Sequence, residues 1–337
     1  MKISILKDDC SDIIISDHMN DGEKIATNLM ETNIFSNVTF VRTLDFKKKG
    51  VRGRIRNLLL LFFPQRFLSK MFKIKARYDV LYLANADLFS KLLFHTISND
   101  IFCRFRNKKL SVNLFEDGVA IYTKMFGRWF NNATLAYSDR IPFYHPKNLY
   151  QATKKVYVFD KEGFQWSHDL SVELLPKIDI NQENDFLSTV NKVFGYSEMK
   201  DKYDKKYIFM EESFYVEKQG VDDIGLLNKI AEQVGKENIM VKIHPRNPVN
   251  RFKELGYKTN EDTCIPWEVI IANQDMSDKT LLTVSSSSVL NPARIFGIYP
   301  KVELLYTELN EIPPMLRTGL LDVSISVFDK YYKNQEE

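Results

Sequence analysis

A histidine and an arginine flank a proline directly after the apolar run Ile239-Met-Val-Lys-Ile243. Apolar and β-branched residues over such a stretch predict a buried strand. Pro245 cannot donate a ladder hydrogen bond, so the strand should end at His244. Open α/β sheets bind ligands at the carboxyl ends of their strands, and arginine suits phosphate. We therefore interpret His244 and Arg246 as ligand-binding residues. The alternative is an ordinary loop in which His-Pro merely ends a strand.

Four consecutive serines, Ser285-Ser-Ser-Ser288, follow another apolar run, Leu281–Val284. Serine is favoured just before a helix, and the free amides of a helix start bind phosphate. Four hydroxyls exceed what a cap needs, so we interpret Ser286, Ser287 and Ser288 as phosphate ligands. Capping alone is the alternative.

An acidic residue also falls at a predicted helix start, in Pro266-Trp267-Glu268. Proline is common at the first helical position, and the helix dipole by itself favours an acid in the first turn. Glu268 could instead accept two hydrogen bonds from a ribose diol, as acidic residues do in dinucleotide-binding folds. Together with the histidine and the serines, it would line one nucleotide-binding edge.

A pair of carboxylates follows a predicted strand in the first half of the chain, in Phe115-Glu116-Asp117-Gly118. Two neighbouring like charges tend to raise one pKa, which suits a general base. Glu116 and Asp117 are therefore candidates for that role. The alternative is a strand-to-loop turn, in which Asp-Gly is common.

The elements that must position these residues are strands alternating with helices, which predicts an α/β fold with parallel sheets. The predicted strands are Tyr78–Ala84, Leu110–Phe115, Lys155–Phe159, Lys206–Met210, Ile239–Ile243, Leu281–Val284 and Val302–Tyr306. The predicted helices are Val221–Val234, Trp267–Ala272, Val289–Phe296 and a final amphipathic segment, Val323–Tyr332.

A length of 337 residues suits two domains. Polar and charged residues between about 176 and 205 suit a linker with one short helix. We therefore expect two nucleotide-binding-type domains, over 1–178 and 179–310, and a helical tail over 311–337. The two domains would face each other across a cleft.

Charge is distributed unevenly along the chain. Residues 46–77 carry eleven lysines or arginines and no acid, although the net charge of the whole chain is only +3. The same segment contains Leu58-Leu-Leu-Leu-Phe-Phe63, which is too short to cross a bilayer. A basic and apolar segment suits an anionic membrane surface. A buried helix at a dimer interface is the alternative; nucleic acid is disfavoured because no recognition motif is present.

Cysteine usage and the start of the sequence favour a reducing compartment. The three cysteines, Cys10, Cys103 and Cys264, are widely spaced and odd in number, so they predict neither a disulfide framework nor a metal site. Charged residues near the N-terminus argue against a signal peptide. We expect a cytoplasmic protein, peripheral at the inner face of the cell membrane.

The order of these motifs resembles that of the bacterial sialyltransferases. These enzymes have an acidic-acidic-Gly motif in the first domain, then His-Pro, then Ser-Ser in the second. The chain is most similar to the lipooligosaccharide sialyltransferases (glycosyltransferase family 52), through Glu116–Tyr122 and Val241–Arg246. The three motifs are shared with the bacterial polysialyltransferases, and the resemblance spans roughly residues 78–310.

The resemblance implies a GT-B fold, in which two Rossmann-like domains enclose the active site. It implies CMP-sialic acid as the donor, no cofactor, inversion at the anomeric carbon and no metal; the sequence contains no Asp-x-Asp motif. His244 would protonate or hydrogen-bond the phosphate of the leaving CMP. The base would be Glu116 or Asp117 by the polysialyltransferase pattern. By the lipooligosaccharide pattern it would be an aspartate near Asp222 or Asp223, where helix capping by Asp222 is the alternative.

The acceptor expected from the resemblance is a terminal sugar, galactose above all, of lipooligosaccharide or capsule. A homodimer is also compatible with it. Two other functions stay open: a GT-B transferase that uses another nucleotide sugar, and a non-catalytic scaffold at the membrane surface.

Overall fold

The computed structural model describes residues 11–17, 20–42, 73, 78–84, 90, 93–94, 97, 110–123, 152–164, 170–200, 202–260, 262–314 and 316–333. Contacts between residues divide the chain into two compact units. The first comprises Met1–Asp117 and Lys124–Leu175, and the second comprises Gly118–Thr123 and Pro176–Glu337. The short segment after the acidic pair therefore packs with the second unit.

The described part of the first unit contains parallel strands. Strands β1 (Asp12–Ser16) and β2 (Asn37–Val41) pair with each other, and helix α1 (Gly22–Met30) connects them. Strands β3 (Val80–Leu83), β4 (Ser111–Phe115), β5 (Thr153–Val158) and β6 (Ser171–Leu174) form a second parallel sheet in sequential order. The carboxyl end of β4 delivers Glu116.

Five described strands of the second unit form one parallel sheet. They are β7 (Tyr207–Met210), β8 (Ile239–Lys242), β9 (Lys258–Thr259), β10 (Thr280–Thr283) and β11 (Lys301–Leu304). Their order in space is β11-β10-β7-β8-β9. The chain thus builds outward from β7 through β8 and β9, then returns to the other side of β7 for β10 and β11. This is the doubly wound order, and its topological switch point lies between β7 and β10.

The helices of the second unit follow the strands they connect. They are α2 (Asn184–Phe194), α3 (Asp223–Val234), α4 (Arg251–Glu254), α5 (Trp267–Asn273) and α6 (Leu320–Phe328), with short 3-10 turns at Lys236–Asn238, Ser287–Leu290, Leu305–Glu308 and Leu316–Thr318, and π-helical turns at Pro292–Phe296 and Asp329–Lys333. A further 3-10 turn, Val119–Tyr122, follows the acidic pair.

The core of this unit explains why the strands read as apolar runs. Phe209, Val241 and Leu282, from three neighbouring strands, are at most 1% exposed, and Leu227 of α3 packs against them. Strands covered on both faces have no solvent-facing side to mark with polar residues. The prediction of an α/β fold with parallel sheets is therefore confirmed.

Several local predictions differ from the structure. The helix predicted over Val289–Phe296 is a 3-10 turn followed by a π-helical turn, and Pro292, which has no amide hydrogen to donate, starts the second turn. Pro266 is the residue before α5 rather than its first residue. Strands β1, β2, β6 and β9 were not predicted. The helix predicted within the linker is present as α2, with eleven residues.

In the described part of the chain, no helix is long and apolar enough to cross a membrane. The basic segment 46–77 lies outside the described residues, apart from Lys73.

Candidate active site

Three neighbouring strands of the second unit end in polar residues at the same edge of the sheet. Strand β8 leads into His244, β7 leads into Glu211 and Glu212, and β10 leads into the serines from Ser285 onward. Since the strands are parallel, their carboxyl ends meet at one edge. The polar side chains therefore gather at the switch point, where doubly wound sheets bind nucleotides.

His244 is held by hydrogen bonds on both sides of its backbone. Its amide donates to Glu211 Oε2 over 2.9 Å, and its carbonyl accepts from the Asn247 amide over 2.9 Å. The preceding amide, of Ile243, donates to Asn260 Oδ1 over 2.6 Å. These contacts fix where the strand ends and which way the imidazole leaves the backbone.

The imidazole of His244 is neutral at physiological pH. Burial lowers its pKa to about 4, assisted by the positive charges of Arg246 and Lys242 and opposed by Glu217. Its Nδ1 accepts a hydrogen bond from the Arg246 amide over 3.1 Å. A neutral imidazole whose Nδ1 accepts must carry its proton on Nε2. His244 therefore presents Nε2–H as a hydrogen-bond donor.

Arg246 is the exposed cation of this edge. Its side chain is 62% exposed, and its guanidinium contacts Glu217 Oε1 over 2.7 Å and Ser213 Oγ over 2.9 Å. An exposed ion pair of this kind adds little to stability. The guanidinium can therefore change partner when an anion binds, at small energetic cost.

The serines form a turn with divided roles. Ser286 Oγ caps the 3-10 turn by accepting from the Ser288 amide over 3.3 Å, and the two hydroxyls are 2.8 Å apart. Ser285 is buried and bonds to Glu212 through both its amide and its hydroxyl. Capping and positioning thus engage part of the cluster, while Ser286, Ser287 and Ser288 retain partial exposure at the sheet edge.

Helix α5 begins beside the serine turn. Trp267 Nε1 donates to the Ser288 carbonyl over 3.0 Å, and Asn291 Nδ2 donates to Glu268 Oε1 over 2.5 Å. The structure therefore brings the Pro-Trp-Glu motif next to the serines. Glu268 keeps a second carboxylate oxygen with which it could accept from a ligand.

Two glutamates at the centre of the edge, Glu211 and Glu212, were missed in the sequence. Glu211 Oε1 accepts from Arg251 over 3.0 Å, in addition to the His244 amide. Glu212 Oε1 accepts from Thr283 Oγ1 over 2.9 Å and from the Ser285 amide over 2.7 Å. The signal was present, because an acidic pair directly follows a predicted strand, as Glu116 and Asp117 do in the first half.

The aspartates before α3 already have structural roles. Asp222 Oδ1 accepts from the Gly225 amide over 2.9 Å and so caps the helix. Asp223 is 2% exposed and forms a bidentate pair with Arg251, over 2.7 and 3.0 Å. The capping alternative for Asp222 is therefore what the structure shows; a catalytic role for this residue stays a prediction.

The acidic pair of the first unit divides into one structural and one available carboxylate. Glu116 is buried, and its Oε2 accepts from the Phe159 amide over 2.8 Å, which ties the end of β4 to the end of β5. Asp117 is exposed, yet the protein atoms around its carboxyl raise its pKa through desolvation. A raised pKa makes a carboxylate a better proton acceptor.

Gly118 has a conformation that glycine alone adopts easily. Its φ of 88° lies in the left-handed region, and a Cβ at this position would lie 3.6 Å from Ser287 Oγ. The residue after the acidic pair therefore lies against the serine turn within the second unit. The structure thus brings the glycine of the acidic-acidic-Gly motif to the serine turn.

No group of three or more His, Cys, Asp or Glu side chains within the described ranges is arranged to hold a metal ion.

Comparison with known proteins identifies the family. The model of the alpha-2,8-polysialyltransferase (POLYST) family matches residues 4–304, nearly the whole chain. No curated protein matches the sequence significantly. The closer likeness to the lipooligosaccharide group stays a prediction. The chain belongs to the alpha-2,8-polysialyltransferase family and is a CMP-sialic acid-dependent sialyltransferase, a glycosyltransferase.

Proposed function

We propose that the enzyme is an inverting, metal-independent sialyltransferase of GT-B architecture that acts by direct displacement. A carboxylate removes a proton from the acceptor hydroxyl, which attacks the anomeric carbon of sialic acid, and CMP leaves from the opposite side. Each step forms one bond and breaks one, so no covalent intermediate with the protein is needed. The family match supports the donor and the transfer.

The observation that carries this proposal is the set of donors at the switch point of the second sheet. His244 presents Nε2–H, Arg246 is a cation in a replaceable pair, and the serine turn offers hydroxyls. When CMP leaves, its phosphate gains negative charge. Preorganised donors aimed at developing charge lower the barrier most where water is partly excluded. We assign the phosphate to these groups and the ribose hydroxyls to Glu268.

His244 acts in this proposal as a hydrogen-bond donor rather than as a proton donor. A group with a pKa of about 4 carries almost no extra proton at pH 7. A bound phosphate would raise that pKa by its negative charge, but the Nε2–H bond is available without any protonation. The neutral ring therefore suffices to stabilise the leaving group.

We assign the general base to Asp117. Glu116 is buried and its carboxylate holds the Phe159 amide, so its replacement would disturb the fold of the first unit. Asp222 holds the amide of Gly225 at the start of α3. Asp117 is exposed and has a raised pKa. Among the carboxylates of Glu116, Asp117 and Asp222, that of Asp117 is the one that is both exposed and raised in pKa.

The acceptor is a terminal sugar of a cell-surface glycan, and two candidates differ in their support. Galactose follows from the likeness to lipooligosaccharide sialyltransferases. Sialic acid follows from the family match, because an alpha-2,8 linkage joins the donor to O8 of another sialic acid. The match over nearly the whole chain favours sialic acid.

A transfer assay with CMP-sialic acid tests both parts of the proposal. The acceptors are a lactoside, an alpha-2,3-sialyllactoside and an alpha-2,8-disialyllactoside, and the products are analysed by mass and linkage. We expect CMP release coupled to extension of the sialylated acceptors, with and without a chelator. Extension of lactoside alone would make galactose the acceptor. Loss of activity in chelator would contradict metal independence.

A nucleotide panel separates the donor from the alternatives. CMP should raise the melting temperature, while UDP and GDP should not, because a ligand stabilises the folded state it binds. A shift with UDP or GDP in place of CMP would support another nucleotide sugar, and no shift with any nucleotide would support a non-catalytic scaffold.

A further inference from the structure

Two adjacent glutamates link the two turns to which we assign the phosphate. Glu211 and Glu212 directly follow β7, the central strand of the sheet. The Glu211 carboxylate bonds to the turn after β8 and the Glu212 carboxylate to the turn after β10, on either side of β7.

Glu212 holds the start of the serine turn with both carboxylate oxygens. Its Oε1 accepts from the Ser285 amide over 2.7 Å and from Thr283 Oγ1 over 2.9 Å, and its Oε2 accepts from Ser285 Oγ over 2.9 Å. Thr283 Oγ1 in turn accepts from the Ser286 amide over 3.1 Å. Burial raises the pKa of Glu212, and the hydrogen bonds from Ser285 and Thr283 counter that increase.

Glu211 holds the His-Pro turn in a similar way. Its side chain is 0% exposed; Oε2 accepts from the His244 amide over 2.9 Å and Oε1 accepts from Arg251 over 3.0 Å. Arg251 is also paired with Asp223 at the start of α3. The His-Pro turn is thereby anchored to the strand next to it and to the helix that follows that strand.

We propose that Glu211 and Glu212 are positioning residues that set the His-Pro turn and the serine turn at the spacing a nucleotide phosphate requires. The identity of the ligand, a nucleotide phosphate, rests on the function proposed above. The positioning of the two turns by Glu211 and Glu212 does not depend on that function. Neither carboxylate needs to touch the substrate. A carboxylate buried beside a binding site is costly unless every oxygen is hydrogen-bonded, and all four oxygens here bond to the two turns or to Arg251.

Two variants of Glu212 and one of Thr283 distinguish positioning from general stability. Glutamine keeps all three contacts, because its amide oxygen can accept from the Ser285 amide and Thr283 while its nitrogen donates to Ser285 Oγ. Leucine keeps the bulk and removes every contact. Thr283→Val keeps the shape but removes the contacts of Thr283 Oγ1 with Glu212, with the Ser286 amide and with the Met210 carbonyl, and it serves if Glu212→Leu does not fold.

The first readout is hydrogen–deuterium exchange of the peptides covering 283–290 and 241–247. Glu212→Leu should accelerate exchange in the serine turn and leave the His-Pro turn close to wild type. Glu211→Leu should do the reverse, and Glu212→Gln should resemble wild type. The matched control is Tyr257→Phe, which removes a part-buried hydrogen bond of 2.6 Å to Asn228 elsewhere in the same unit. It should change neither peptide.

The second readout is the affinity for CMP compared with that for cytidine, measured by calorimetry. Removing the positioning contacts should lower the affinity for CMP by about tenfold or more and the affinity for cytidine by about twofold or less, because only CMP carries the phosphate. A purely structural role would weaken both ligands alike, and Tyr257→Phe should weaken neither.

The outcomes separate this inference from the proposed function. Wild-type protein that binds no CMP, with turn-specific exchange in the two leucine variants, would overturn the function and retain the positioning geometry. CMP binding with an unchanged CMP-to-cytidine ratio in Glu212→Leu or Thr283→Val would overturn the positioning role. Accelerated exchange throughout the unit in both leucine variants would also overturn it.

Discussion

His244 combines a lowered pKa with a fixed tautomer, and both follow from its neighbours. The Arg246 amide occupies Nδ1, so the only proton of the neutral ring is on Nε2. A residue in this state can donate one hydrogen bond and cannot act as an acid until an anion raises its pKa. The chemistry at this position is therefore set by the turn around it as much as by the imidazole.

Replacement of His244 separates hydrogen bonding from proton transfer. The amide nitrogen of glutamine can take the place of Nε2, whereas that of asparagine cannot reach as far. We expect His244→Gln to lower kcat by about tenfold, and His244→Asn and His244→Ala by about 10²–10³-fold, the usual effect of removing a preorganised donor. Steady-state kinetics with saturating donor measures this. Equal losses in all three variants would contradict hydrogen-bond donation.

The same residue makes stability depend on pH. The pKa of His244 is about 4 in the folded protein and about 6.5 in the unfolded chain, so the unfolded state binds the proton first as pH falls. The free energy of unfolding should therefore decrease as pH falls from 6.5 to 4. Allowing for partial exposure, the contribution is about 1–2 kcal/mol. Urea unfolding of wild type and His244→Gln at pH 7 and 5 measures it; parallel losses in both proteins would show that His244 does not contribute.

The two acidic residues of the first unit should respond differently to removal of their charge. Asp117→Asn should lower kcat by about 10²–10⁴-fold with little change in stability, because it removes an exposed base. Glu116→Leu should cost about 1–3 kcal/mol of stability, because it leaves the Phe159 amide without the side-chain oxygen that accepts from it. Kinetics and urea unfolding of both variants are the measurements. The reverse pattern would make Glu116 the base.

The strands of the second unit place these residues together because the carboxyl ends of parallel strands lie at one edge of the sheet. The second unit crosses to the other side of β7 between β9 and β10, and the polar residues collect at the edge where this happens. The sequence predicted the strands that carry His244 and the serines, because buried parallel strands read as uninterrupted apolar runs. It could not predict their order in space, which depends on contacts between residues far apart in the chain.

The sequence predicted some residues of the site and missed others, for a related reason. His244, Arg246 and the serines could be recognised because proline or a run of hydroxyls marks an abrupt change after an apolar strand. Glu211 and Glu212 also follow an apolar strand, but their role as ties between turns could not be predicted, because their partners lie more than thirty positions away in the chain. Asp222 was a candidate base by the lipooligosaccharide pattern; its bond to Gly225 at a helix start is a local property of the chain, and a catalytic role stays a prediction.

Gly118 tests how closely the element after the acidic pair must approach the serine turn. An added methyl group would be strained by the φ of 88° and would lie at ordinary contact distance, 3.6 Å, from Ser287 Oγ; because relief of that strain would shift the adjacent Asp117, Gly118→Ala should cost about 1–2 kcal/mol and lower kcat by about tenfold or more. Gly256 has nearly the same φ, 83°, with nothing within 4 Å, so Gly256→Ala is a matched control.

Both glycine variants should lose similar stability, and only Gly118→Ala should lose activity. Thermal unfolding and kinetics on the same preparations measure the two effects. If Gly256→Ala lowers kcat as much as Gly118→Ala does, general destabilisation rather than the place of Gly118 beside Asp117 and the serine turn explains the loss.

At the scale of the whole molecule, positive charge is concentrated in residues 46–77. We propose that this segment binds an anionic membrane. Sedimentation with vesicles containing phosphatidylserine should show binding that weakens as salt rises from about 0.05 to 0.5 M, since the attraction is screened. Replacement of Arg52, Arg54 and Arg56 with glutamine should weaken binding, because each basic residue near the surface contributes about 1 kcal/mol.

A matched control removes the same charge elsewhere, by replacing Lys200, Lys202 and Lys205 with glutamine. This variant should bind vesicles like wild type. Absence of binding at every salt concentration would instead favour the interface with a second copy of the chain.

The central claim is that the phosphate of CMP is bound at the switch point of the second sheet. A crystal structure of the protein with CMP tests it most directly. We predict a phosphate oxygen within about 3 Å of His244 Nε2 and a second one on the serine turn, with the ribose hydroxyls at Glu268. CMP bound with its phosphate away from His244 and from Ser286–Ser288 would contradict the account.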